Sequence, residues 1–96
     1  MLTHIVIWKY KPEIEPAIRE EHVMQLRRLA GVIPEVESLS VGFDVLHLAR
    51  SYDTGLVATF HDRAALEAYT VHPEHEKVAT LGRGISEHVA SIDFEG

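Results

Sequence analysis

The chain has 96 residues, no cysteine, nine Lys and Arg against 15 Asp and Glu, and a net charge of −6. That length supports one domain, residues 1–96, whose modest core buries roughly two-thirds of the unfolded surface. The acidic balance and the scattered bases argue against nucleic acid, whose phosphates need clustered Lys and Arg, and the lack of cysteine excludes disulfides and thiolate metal sites.

Leu2 to Tyr10 (LTHIVIWKY) is rich in β-branched and aromatic residues and predicts a strand that Pro12 ends. Pro16 suits the first turn of a helix running to about Ala30. Ile18, His22, Leu26, Leu29 and Ile33 form its apolar stripe, with Arg19, Glu20 and Arg27 on the wet side. Gly31 is placed to end that helix as the C′ residue, and Pro34 forbids continuation. Val36 to Leu48 alternates, putting Leu39, Val41, Phe43 and Val45 on one face of a second strand. After a polar connection, Ser51 to Thr54, the run Gly55 to His61 predicts a third strand. Asp62 is a good N-cap for a short helix, Arg63 to Tyr69. A second helical segment follows from Pro73 to about Leu81 and stops near Gly82 and Gly84. Glu87 to Phe94 predicts the last strand. The order β-α-β-β-α-β, with the last helix broken at His72-Pro73, predicts an α+β, ferredoxin-like protomer with an antiparallel sheet.

Two of these strands are apolar on both faces. The first carries Leu2, Val6 and Trp8 on one side and Ile5 and Ile7 on the other; the third sets Leu56, Ala58 and Phe60 against Val57. A sheet with one face open to water alternates cleanly. The second face is therefore expected to be covered, and a second copy of the chain is the expected cover, making a homodimer. No apolar run approaches the roughly 20 residues that span a bilayer, and no signal peptide precedes the first strand. A cytoplasmic protein that does not enter the membrane is expected.

The segment Tyr69-Thr70-Val71-His72-Pro73-Glu74-His75 places three proton-active side chains around one helix break. Proline at the first turn of a helix makes His72 its N-cap and puts His75 in the first turn. Histidine titrates near pH 6.5, so His75 suits a general base, and Tyr69 suits a hydrogen-bond donor to a developing oxyanion. The alternative is structural: both side chains satisfy the orphan groups of the helix start. His4 shares a strand face with Val6 and Trp8, where a lone histidine is either a satisfied core residue or a wall of a site. Histidines three apart across a helix start converge poorly on an ion, so neither a metal nor a cofactor is expected. Gly82-Arg83-Gly84, following a helix, reads as a stop rather than a phosphate loop, and no G-x-S-x-G motif is present.

Three stretches together resemble the stress-responsive dimeric α+β-barrel (Dabb) family: Thr3 to Lys11 (THIVIWKYK), Ser51 to Gly55 (SYDTG) and Leu66 to His75 (LEAYTVHPEH). The resemblance covers nearly the whole chain, and Tyr-x-x-His-Pro-x-His is its most specific part. It implies ferredoxin-like protomers whose sheets pack face to face into a dimeric barrel. A plant member of the family cyclises a linear polyketide by a cofactor-free aldol reaction, using the tyrosine and last histidine of this segment. By position those match Tyr69 and His75, with His4 corresponding to a nearby histidine. The resemblance thus implies Tyr69 and His75 as a catalytic pair with His4 beside them; His4, His72 and Trp8 are the expected binding residues around a small hydrophobic ligand. Most members have no assigned reaction.

Overall fold

The β-branched and aromatic run at the start of the chain forms β1, Leu2–Tyr10, in a computed structural model that describes residues Met1–Gly96. It is followed by α1 (Pro16–Val32), β2 (Val36–Phe43), β3 (Thr54–Phe60), α2 (Arg63–Val71), α3 (Pro73–Ile85) and β4 (Ser86–Glu95). The strands make one antiparallel sheet in the order β2-β3-β1-β4, the ferredoxin-like arrangement expected of this element order. β1 is central. Its residue His4 stands opposite Ala58 of β3 on one side and Asp93 of β4 on the other. No helix is long and apolar enough to cross a membrane.

The core lies between the helices and the sheet face that carries Leu2, Trp8, Leu56, Ala58 and Phe60. α1 contributes Val23, Leu26 and Leu29, α2 contributes Tyr69, and α3 contributes Val78 and Ile85. Each fully buried aliphatic or aromatic side chain here is worth about 1.5–3 kcal/mol relative to exposure. Such burial, rather than helix propensity, holds three short helices in place. The other sheet face is also apolar, as the two-sided strands imply, but in the single chain it is bare. Beside Ile5 and Ile7, Val57, Ile92 and Phe94 are 44, 57 and 45 % exposed.

Several boundaries differ from expectation, each for a local reason. α1 runs through Gly31 to Val32 and stops because Pro34 holds Ile33 in extended backbone, φ −107° and ψ 107°. Ile18 falls in the first turn and is 43 % exposed, while Val23 takes a place in the buried stripe. Arg19 and Arg27 do not lie free in water. Arg19 donates to the Ile14 carbonyl at 2.8 Å and stacks over the Tyr10 ring, and Arg27 donates to the Val41 carbonyl at 2.9 Å. β2 ends at Phe43 rather than Leu48. The Asp44 carboxylate accepts from the His47 backbone at 2.6 Å, and His47 turns left-handed at φ 52°. Such local side-chain bonds compete with a strand ladder. α3 continues through Gly82 and Gly84 to Ile85, since nothing in that turn needs a positive φ.

Candidate functional site

The break between α2 and α3 creates the site. Asp62 caps α2 by accepting from the Ala65 backbone at 2.9 Å. Eleven residues later the proline at 73 forces His72 into extended backbone, φ −64° and ψ 133°. His72 therefore ends one helix and starts the next. Its backbone N–H donates to the Tyr69 carbonyl at 3.1 Å, and its Nδ1 accepts from the Glu74 backbone at 3.1 Å. α3 then turns back, so that His75 returns over Tyr69 with ring centroids 4.3 Å apart. The His75 Nδ1–H donates to the Thr70 carbonyl at 3.0 Å, tying the two helices together.

That bond fixes the tautomer. With the proton on Nδ1, Nε2 keeps its lone pair. Burial of the half-buried ring lowers the His75 pKa from its ordinary value, partly offset by the Thr70 carbonyl; the charges of His4 and Arg83 lower it further. At neutral pH the ring is a neutral base. Tyr69 is 1 % exposed, wedged between Phe60 at 5.0 Å and His4 at 6.1 Å, centroid to centroid. Burial pushes its phenol up to about 12, so it stays protonated and can only donate or accept a hydrogen bond. His4 is held by its cross-strand neighbour, Nδ1 against the Asp93 carboxylate.

Tyr69, His75, His4 and Trp8 all line one cavity of about 220 Å³, walled by Leu26 and Leu56 and reaching Arg83. His72 does not line it; its ring is spent on the start of α3. His72 and His75 also point to different partners, Glu74 and Thr70. A broader groove of about 600 Å³ lies beside the cavity, between α2 and the end of β4; it shares Thr70 with the cavity and is bordered by Asp93. It holds neither Tyr69 nor His75.

Two residues of the site escape the sequence. Asp93 enters only through strand pairing across 89 positions. Arg83 was hidden by the glycines on either side of it, which read as a helix stop; continuing the period of α3 past Gly82 would have placed it one helix face with His75 and Ala79. A second buried polar group, His22 of α1, is 0 % exposed and shares a 2.7 Å hydrogen bond with Tyr10, which in turn meets Thr54 at 2.8 Å. This cluster braces α1 against the sheet behind Trp8, whose ring meets His22 edge-on at 5.0 Å.

Known proteins resemble this chain along nearly its whole length. The chain is 27 % identical over 94 residues to the stress-response A/B barrel domain-containing protein HS1 of Arabidopsis thaliana, covering 96 % of this chain and 86 % of that protein. It is 26 % identical over 93 residues to olivetolic acid cyclase of Cannabis sativa, covering 95 % and 92 %. A solved dimeric ferredoxin-like protein from Jannaschia matches with a TM-score of 0.84 at 27 % identity, over 99 % of this chain and 98 % of that one. The sequence model of the stress responsive A/B barrel domain, Dabb, matches residues 2–96, and the chain belongs to that family.

Proposed function

We propose that the protein binds a small organic molecule in the cavity beside Tyr69 and His75, as one protomer of a homodimeric α+β barrel. One observation carries the binding reading: Tyr69, whose hydroxyl makes no hydrogen bond within the protein, lines an apolar-walled cavity together with His75, whose Nε2 is likewise uncommitted. Both groups are left free to hydrogen-bond a molecule that enters an otherwise apolar-walled cavity. His4 and Trp8 form the adjoining wall. The bare face of Ile5, Ile7, Val57, Ile92 and Phe94 supports the dimer, because a patch of this kind is costly in water and closed two-fold pairing removes it. The dimeric Jannaschia neighbour supports the same assembly.

The test is a ligand-observed NMR screen of small compounds with apolar bodies, run on the wild type and on Ala79→Phe, which fills the cavity. Binding that survives the filled cavity would refute the site.

A second reading, a cofactor-independent cyclase or lyase, is favoured by the tautomer of His75 and by the likeness to olivetolic acid cyclase. In an aldol cyclisation His75 Nε2 takes a proton from the carbon beside a ketone. The Tyr69 hydroxyl donates to the enolate oxygen. The enolate carbon bonds to a second carbonyl of the same chain, and the resulting alkoxide recovers the proton from the imidazolium. A positioned base of this kind contributes roughly 10²–10⁴-fold. Turnover of a linear poly-β-carbonyl thioester should therefore fall at least about 100-fold in His75→Ala. Equal turnover in wild type and variant would end this reading while leaving binding untouched.

A further inference from the structure

The chain carries 15 acidic residues against nine Lys and Arg. Around the cavity that balance is inverted: no carboxylate lines it, and one guanidinium, Arg83, does. Arg83 lies on α3 eight residues beyond His75, a little over two turns along one side of the helix. It is exposed, whereas Leu26 and Leu56, which also line the cavity, are buried, so the charge sits at the mouth. Its one hydrogen bond within the protein is a 3.3 Å contact to the Thr80 hydroxyl, and no carboxylate pairs with it, in contrast to the ion pairs of Arg19, Arg28 and Arg63. Two acidic groups of the neighbouring segments stay out of the cavity. Asp93 is held by His4, and Glu76 does not line the cavity.

We propose that the ligand is a small organic acid, its carboxylate held by Arg83 at the mouth and its apolar body lying against Val6, Leu26 and Leu56. A guanidinium fork matches a carboxylate in two parallel hydrogen bonds, a geometry that an ammonium does not reproduce. The cavity's volume of about 220 Å³ is that of roughly seven water molecules in the liquid. It therefore takes one ring or a short chain rather than a lipid. Docked this way, the carbons between carboxylate and body pass beside His75 and Tyr69. In a protein of net charge −6 the free cation also steers an anion to this opening against the general repulsion.

The inference rests on the cavity-binding reading above, and phenylacetate with its neutral isostere phenylacetamide separates the two. Both are titrated by NMR into the 96-residue wild type, Arg83→Gln and Arg83→Lys. The expected result is that the wild type binds phenylacetate roughly five- to tenfold more tightly than the amide, the worth of a well-formed but water-exposed charge pair. In Arg83→Gln the preference vanishes, and in Arg83→Lys it shrinks. It also weakens with added salt. Equal affinity for both probes in the wild type, or an undiminished preference in Arg83→Gln, overturns the carboxylate assignment and leaves the cavity standing. If neither probe moves a resonance of Tyr69 or His75, the binding reading falls and the inference falls with it.

Discussion

Gly82 separates two demands that α3 makes on its sequence. Glycine in a helix interior costs about 0.8–1.0 kcal/mol relative to alanine, so a Gly→Ala change in a helix with room to spare stabilises. At position 82 there is no room. An added Cβ would stand 2.9 Å from Trp8 Nε1 and 3.0 Å from His22 Nε2, where ordinary contact begins near 3.4 Å. Neither ring can step aside. Trp8 and His22 are buried, and the His22 ring is anchored to the Tyr10 hydroxyl at 2.7 Å. The helix must move instead, and overpacking of this kind costs about 1–3 kcal/mol. After the helix gain is subtracted, Gly82→Ala should destabilise by up to about 2 kcal/mol. Gly84, two residues on in the same helix, has nothing within 4 Å of the same added atom. Gly84→Ala should be neutral or stabilising by up to about 1 kcal/mol. Urea unfolding of the two variants at one protein concentration checks the contrast, the fixed concentration removing any contribution from association. If Gly82→Ala proves as stable as Gly84→Ala, the close approach of α3 to Trp8 and His22 is wrong, and so is the placement of His75 and Arg83 that depends on it.

Acid should weaken the fold through His22. Burial lowers its pKa to about 4, so between pH 6.5 and 4 the unfolded chain binds the proton and the folded one does not. Stability is then full above about pH 6.5 and falls by about 2–3 kcal/mol as the pH drops to 4; His75, also lowered by burial, acts in the same direction. His22→Leu should flatten most of this slope, and an unchanged slope in urea midpoints measured across that range would clear His22 of the role. Ile92→Glu, on the bare sheet face, should convert a species of about twice 10.8 kDa into one of 10.8 kDa by light scattering, and a wild type already at the lower mass would refute the dimer. His72→Ala removes one cap bond and should cost about 1 kcal/mol without changing ligand affinity; a loss of affinity beyond the loss of stability would return His72 to the site.

Most of the fold was legible because its signals are local. The prolines at 16, 34 and 73 each forbid one backbone hydrogen bond and mark two helix starts and one stop. The two-sided apolar pattern of β1 and β3 likewise needs only the period of a strand to announce a second covered face. Errors arose where two local signals competed. The run from Val36 to Leu48 alternates like a strand throughout, but the Asp44 and Ser51 side chains bind the backbones of His47 and Leu48 and bend residues 44–53 out of the sheet. Gly31, Gly82 and Gly84 looked like helix stops, yet none needs the left-handed backbone that makes glycine a stop. The role of Gly82 is to let two rings approach, and that depends on α1 and β1.

The sequence alone determined the element order and the break at His72-Pro73, because proline chemistry and side-chain period act within a few residues. Tertiary structure decided what the residues around that break face. The turn at His72 sets the angle that brings His75 over Tyr69, and strand pairing brings His4 to Asp93. Packing of α3 against Trp8 and His22 points Arg83 at the same cavity. A binding site depends on distances between residues far apart in the chain, and no local rule of helix or strand contains them.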